Sequence, residues 1–393
     1  MNKNIKKSEK KSKFNETTKN PAISVYHVGA RENYVPINYP HHFDQDIEFF
    51  LFEAGEDKQG SNVILSDGRL TSSSFTNIPK LLWHQSNSVK FFERRCPYTS
   101  GIHKFNEKYK DWYFFGNGSC DYLLGQAHKT VRSKLKKAIT LDMFVRNHKN
   151  KNSPAILCID AQGASLQILQ GANRFLNESV LGVICEVEFE QFYRNAALFG
   201  DVHKHLLRKG FHFVRLIPEN GWGLPFRSPV GLRSGSLTAS ADAMFIRIPS
   251  YIQKSRNSSI ASAYVLLCHM WGIVDLVGPA LPFIRRLRYK SPIHEFAADV
   301  ALHWGEICHT NKCRARDFNS QHRQKFSDEM CSDKRHPRKP NLSYKRKIWS
   351  KYEKTLLKYG FTELANNINN IRSEQESFIC HDVSSSNKPA ASP

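Results

Sequence analysis

The sequence predicts an α/β protein built on a mostly parallel sheet, and three observations carry that prediction. An apolar run, AILCI (Ala155 to Ile159), delivers Asp160 and then Gln162-Gly163 into an amphipathic stretch, SLQILQGANRFL, and a second apolar run from Val180 to Val187 follows. Ile168, Leu169, Ala172, Phe175 and Leu176 fall on one face of a 3.6-residue period, and the second run is continuous enough for a strand buried on both sides. This reads as strand, turn, helix, strand. The same alternation recurs upstream, and 393 residues with 40% hydrophobic content suffice for a sizeable core.

In chain order, ISVYHV (Ile23 to Val28) reads as a strand ending at Gly29-Ala30, IEFFLF (Ile47 to Phe52) as a second ending at Glu53, and NVILS (Asn62 to Ser66) as a third. The gap from Gly29 to Glu53 suits a βαβ unit in which a glycine turn admits a cofactor and an acid on the next strand accepts ribose hydroxyls. GAREN lacks the full G-x-G-x-x-G, which favours a mononucleoside ligand such as S-adenosylmethionine over a dinucleotide. The hydroxyl-rich CPYTSG loop, with Tyr98, Thr99 and Ser100, reads equally as a cover over ligand or as plain surface loop. Ile260 to Ile284 is long and apolar but holds His269, Asp275, two Gly and two Pro, so a buried helical hairpin is expected rather than a membrane span.

The net charge of +21 is concentrated at the ends. Residues 1–20 carry net +5 and residues 334–358 net +9, together 14 of the 21. Solvated tails are the plain reading, and peripheral contact with an anionic membrane through these basic termini is the sharper one. Aromatic residues do not interleave with glycine there, so specific nucleic-acid binding is not expected. Nine cysteines without a CxxC pair point to reduced, cytoplasmic usage, and Cys308, His309 and Cys313 do not have zinc-site spacing.

VYHVGA with LFEAGED, CPYTSGI, TLDMF, IDAQGASLQILQGA, EVEFEQFYRNAALFGDVHKHLLRKGFHFVRL and ADAMFIR, in that order from about Ile23 to Arg247, together resemble the FkbM family of S-adenosylmethionine-dependent methyltransferases. The resemblance implies a class I (Rossmann-like) methyltransferase fold, a seven-stranded mostly parallel sheet with helices on both faces, followed by a C-terminal helical extension. It implies O-methylation of a sugar, glycan or secondary-metabolite hydroxyl. Four regions are expected: a basic disordered N-terminus over 1–20, the methyltransferase domain over 21–249, a helical accessory segment over 250–310, and a basic, partly disordered tail over 311–393. Carried over by residue, Gly29 and Ala30 form the cofactor turn, Glu53 holds the ribose, Ser66 and Asp67 lie beside the adenine, and Asp160 and Gln162 face the sulfonium and acceptor. The chain departs from the pattern at His27, where an Asp is usual, and at Glu32-Asn33, which replace a glycine and remove backbone freedom. A binding or scaffold protein that keeps the sheet without turnover is the alternative reading.

Transfer from an activated sulfonium asks the protein to align an acceptor hydroxyl and remove its proton. Asp160 is the first candidate base, with capping of the following helix as its structural alternative. Of Glu186 and Glu188, one is expected to face the cleft, and Glu186 is preferred. With Asp160 it offers oxygen ligands to Mg²⁺, which no sequence feature demands. Tyr193 is expected to be a core aromatic with a satisfied hydroxyl, and His203 and His205 to lie on a solvated helix face.

Overall fold

The computed structural model describes residues 22–55, 60–114, 122–148, 153–224, 237–284, 291–303 and 342–367. Seven strands, β1 (Ile23–Val28), β2 (Ile47–Phe52), β3 (Ser74–Ile78), β4 (Ala155–Ile159), β5 (Val180–Glu188), β6 (Phe211–Leu224) and β7 (Leu237–Arg247), form one sheet in the order β6-β7-β5-β4-β1-β2-β3. The pairs β1–β2, β1–β4, β4–β5 and β2–β3 are parallel, and β7 runs antiparallel to both its neighbours. The chain therefore changes direction of winding between β1 and β4, and the carboxyl ends of these two strands flank a crevice.

Burial explains why the central strands are largely apolar: all six residues of β1, Ser24 and His27 among them, and all five of β4 are buried. On one face Val25, Phe49, Cys158, Ile184 and Met244 share a core with α5 (Ser258–Met270). On the other, Tyr26, Phe50, Leu157, Val183 and Phe245 meet α1 (Leu141–Arg146), α2 (Ser165–Gln170), α3 (Asn173–Glu178) and α4 (Phe199–Arg208). Helices thus cover both faces, as a buried parallel sheet requires. Residues 261–269 of α5 are all buried, so this helix is apolar on every side because it lies inside the protein.

A further helix, α6 (Leu342–Lys358), lies within the span read from sequence as a basic tail, yet Tyr352 and Leu356 are completely buried in the α5 core. The Tyr352 hydroxyl lies 2.7 Å from His269 Nε2, and His269 Nδ1 lies 2.7 Å from the Val265 carbonyl, so the imidazole spans two helices. Burial pushes the His269 pKa down to about 4. Residues 1–20 and most of 311–393, including Cys313, lie outside the described residues, as do Cys308 and His309. Among the described residues no helix is long and apolar enough to cross a membrane.

Three sequence expectations are corrected here. NVILS is not a strand of the main sheet: Val63–Ile64 pairs antiparallel with Leu70–Thr71, and the third parallel strand is the more polar β3. An edge strand with one solvated side needs less apolar character than its neighbours, and β3 alternates exposed and half-buried residues. The single amphipathic helix after Asp160 is divided into α2 and α3, with the Asp142 carboxylate accepting the N–H groups of Arg174 and Phe175 at 2.8 Å each. Instead of a two-helix hairpin over 260–284, α5 is followed by two short 3-10 turns.

Candidate active site

Gly29 follows β1 with φ +84°, and a Cβ added there would lie 1.7 Å from the Asp160 carbonyl oxygen. The parallel pairing of β1 with β4 causes this proximity, because the Asp160 N–H donates to the Val28 carbonyl at 2.8 Å. Only glycine meets both demands. Ala30 is fully buried behind the turn, and Glu32 and Asn33 follow at φ 55° and 58°. The chain thus takes left-handed backbone with non-glycine residues, a conformation that costs on the order of 1 kcal/mol each. The Asn33 amide offsets part of that by donating to the Gly60 carbonyl at 2.7 Å. His27 is buried, 3% exposed, and burial pushes its pKa down to about 4 against the opposing pull of the Tyr34 backbone.

Glu53, at the end of β2, is 7% exposed and accepts the Gly55 N–H at 2.6 Å, with Arg31 Nη2 at 3.9 Å. The Arg31 guanidinium sits 5.3 Å from the Tyr98 ring centre, and the Tyr98 hydroxyl donates to Glu32 at 2.7 Å. The CPYTSG loop is therefore fastened to the turn by two contacts, and Tyr98, Thr99 and Ser100 all line a cavity of about 230 Å³.

The ends of β4 and β5 meet at the same cavity. Gln162, at φ 52°, places its amide Nε2 3.0 Å from Asp160 Oδ1 and 3.4 Å from Glu186 Oε2, while its backbone N–H donates to Glu186 Oε2 at 3.2 Å. Asp160 and Glu186 also hydrogen-bond to each other. Asp160 opens on to the cavity from deep within the protein mass, and burial raises its pKa against the opposing pull of Gln162 and Glu186. Burial raises Glu186 further, followed by repulsion from Asp160, Glu188 and Asp242. Two such close carboxyls cannot both ionise readily, so burial and mutual repulsion push the pair towards holding a proton. Asp160 does not cap α2, whose N-cap residue is Ala164 and which has no side-chain cap.

The Tyr193 hydroxyl donates to Gln162 Oε1 at 2.6 Å, and His128 Nε2 lies 3.2 Å from the same hydroxyl. His128 Nδ1 faces the Leu124 carbonyl at 2.9 Å, so a neutral ring spends its one proton there and turns a lone pair on Tyr193. Burial and then the Arg94 charge hold the His128 pKa near about 4, so the ring is neutral at pH 7. One hydroxyl proton therefore faces two acceptors. Gly163, at φ +85°, admits the Tyr193 ring, since a Cβ there would stand 2.7 Å from Tyr193 Cδ2. Arg94 supports the ring from below at 5.1 Å and donates to the carbonyls of Thr99 and His103.

Of the residues singled out from sequence, Gly29, Glu53, Asp160, Gln162 and Glu186 line one cavity. Ser66 and Asp67 do not: both are exposed in the 63–71 hairpin, where Asp67 accepts the Arg69 N–H at 2.9 Å. The end of β3 instead sends Lys80 and Leu81 to the cavity. The expectation that only one of Glu186 and Glu188 faces the cleft is also corrected, because residues two apart on a strand share a face and both line the cavity. Glu188 is 3% exposed with its pKa pushed by burial up to about 8, and Asp242, opposite Glu186 on β7, is raised by burial to about 7. Glu188, Ser240, Asp242 and His128 were missed from sequence. Tyr193 is the buried, hydrogen-bonded aromatic expected, and it also walls the cavity. His203 stacks on Phe199 at 5.6 Å rather than standing in solvent.

Residues 86–213 match the family model of the FkbM methyltransferase domain. The FkbM match covers about a third of the chain and implies a methyltransferase. It contains the Tyr98 loop, His128, Asp160, Gln162, Glu186, Glu188 and Tyr193, whereas Gly29 and Glu53 precede it. Neither the curated proteins nor the solved structures gave a match.

Proposed function

We propose that the chain is an S-adenosylmethionine-dependent O-methyltransferase of class I architecture, acting on a hydroxyl of a sugar, glycan or secondary metabolite. The observation that carries the reading is the hydrogen-bonded Asp160–Glu186 pair, tied by Gln162, in the same cavity as Gly29 and Glu53. A seven-stranded sheet covered by helices on both faces supports the fold assignment.

The residues suit the donor. Glu53 ends β2 on the cavity wall, as a ribose partner would, and the acidic floor favours a cationic guest. Glu188 Oε1 is buried without a hydrogen-bond partner in the protein, an acceptor or donor held ready for a polar guest. S-Adenosylmethionine, when bound, supplies a methyl carbon already activated by its sulfonium.

The chain's own work is then orientation and proton removal. With one carboxylate of the Asp160–Glu186 pair ionised, that carboxylate accepts the acceptor's hydroxyl proton as the hydroxyl oxygen takes the methyl group. Gln162 fixes both carboxyls, and Tyr193 fixes Gln162. The Tyr98 loop excludes water from the turn side. Asp160 and Glu186 together offer oxygen ligands, but among the described residues no group of three His, Cys, Asp or Glu is arranged around a metal position, so no step is routed through Mg²⁺.

Labelled-methyl transfer to a panel of mono- and oligosaccharides, polyols and primary amines tests the reading. Label on a hydroxylated acceptor that is lost in Asp160→Asn supports it. Transfer confined to amines refutes O-methylation, and donor binding without transfer to any member favours the scaffold alternative.

A further inference from the structure

Beside the main sheet, Ser88–Arg94 pairs antiparallel with Thr130–Ile139, and the latter pairs with Leu81–Leu82. The two faces of this small sheet differ sharply. Inward, Phe91 lines the cavity, Lys136 Nζ lies 4.9 Å from its ring and donates to the Ala54 carbonyl, and Lys134 pairs with Glu93 at 2.5 Å. Outward, Val131 and Leu135 are 72% and 74% exposed, the highest values among the exposed large hydrophobic residues. Lys90 stands directly opposite Leu135, Lys137 extends the same row, and the outward positions of the two strands hold no acid. Lys129 and Arg132 are exposed beside them.

We propose that this outward face docks on a bilayer carrying anionic lipid. Leu135 stands on the outward row and Val131, at the irregularity between Thr130 and Arg132, is exposed four residues away, about 13 Å along the strand, so both can enter the headgroup boundary together while the flanking cations stay at the surface. Charge alone would suit any polyanion. Two apolar side chains held out in water between lysines suit a surface that offers hydrocarbon behind its phosphates. The face is the outer side of a cavity wall, so docking would hold the candidate active site within one sheet thickness of the membrane. This site is separate from the basic chain ends, and it does not depend on the methyl-transfer reading.

The test is co-sedimentation of the full chain with phosphatidylcholine vesicles, with and without phosphatidylglycerol, at low and at high salt, beside binding to heparin. The expected result is partitioning on to phosphatidylglycerol vesicles that persists in part at high salt. Val131→Ser/Leu135→Ser should reduce that residual partitioning by about tenfold or more, and Lys90→Glu/Lys137→Glu should weaken the low-salt binding. Unchanged thermal unfolding of either double variant shows that the fold is intact, and the lysine pair provides the test if the apolar pair does not fold. Partitioning equal to the parent in both variants would overturn the proposal in favour of the chain ends. Binding abolished by salt in the parent, with heparin bound as well as vesicles, would overturn it in favour of a polyanion.

Discussion

The turn after β1 keeps its shape through backbone, with Gly29, Glu32 and Asn33 all at positive φ and Gly29 pressed against the Asp160 carbonyl. The floor at the ends of β4 and β5 keeps its shape through side chains, with Gln162 joining Asp160, Glu186 and Tyr193. The difference teaches where each end is fragile. A backbone device fails when a Cβ is added, and it fails structurally. A side-chain network fails when a charge or proton is removed, and it fails chemically while the fold persists.

The largest expected effect breaks the turn. Gly29→Ala puts a methyl group on to a backbone oxygen and demands left-handed φ of alanine, so it should cost about 3 to 4 kcal/mol in thermal or denaturant unfolding and abolish donor binding. Parent-like stability would mean that β1 and β4 separate more easily than their pairing implies. Next, Asp160→Asn keeps the shape of the floor but removes the charge. Methyl transfer should fall by at least about a hundredfold with melting temperature little changed, and unaltered turnover would move the base elsewhere in the network.

Two smaller effects sharpen the contrast. Glu53→Ala should weaken donor binding by about 2 kcal/mol, measured by titration with S-adenosylhomocysteine, because charge-assisted bonds to ribose are lost. Equal affinity would remove Glu53 from the donor site. Glu188→Gln should act through pH. Folding raises the pKa of Glu188 to about 8, so the native state holds a proton that the unfolded chain has released, and stability declines as pH rises from about 4.5 towards 8. The glutamine variant should flatten that decline and be the more stable protein at pH 8. An unchanged pH slope would show that Glu188 ionises freely in the cavity.

Much of the fold was legible because its signals are local. β1, β2 and β4 are predominantly apolar runs ended by Gly29, Glu53 and Asp160, and such runs identify strands buried on both faces without reference to distant sequence. β3 was misplaced because an edge strand lacks that signature, while the more apolar NVILS closes a small hairpin. With β3 misplaced, Ser66 and Asp67 were expected at the end of the third parallel strand, the end from which Lys80 lines the cavity. The acidic floor was only half legible. Asp160 and Glu186 are strand-end acids, but Ser240 reaches the floor and Asp242 stands opposite Glu186 because β7 inserts antiparallel beside β5, a pairing some 55 residues distant that no local pattern announces. His128 comes from a loop, and its role appears only when its ring nitrogens are traced to Leu124 and Tyr193. At Glu32-Asn33 the sequence suggested lost backbone freedom, whereas the structure holds left-handed geometry there with non-glycine residues.

The central claim is that one cavity joins a donor-binding turn to an acidic floor, and calorimetric titration of the full chain with S-adenosylmethionine and S-adenosylhomocysteine between pH 6 and pH 8 tests it most directly. Asp242 and Glu188, with pKa values of about 7 and about 8, become ionised across that range. The sulfonium of S-adenosylmethionine should favour their charged forms, so its affinity relative to the uncharged thioether of S-adenosylhomocysteine should rise with pH, with protons released on binding. Binding of neither compound, or a ratio of affinities that does not change with pH, would contradict the account.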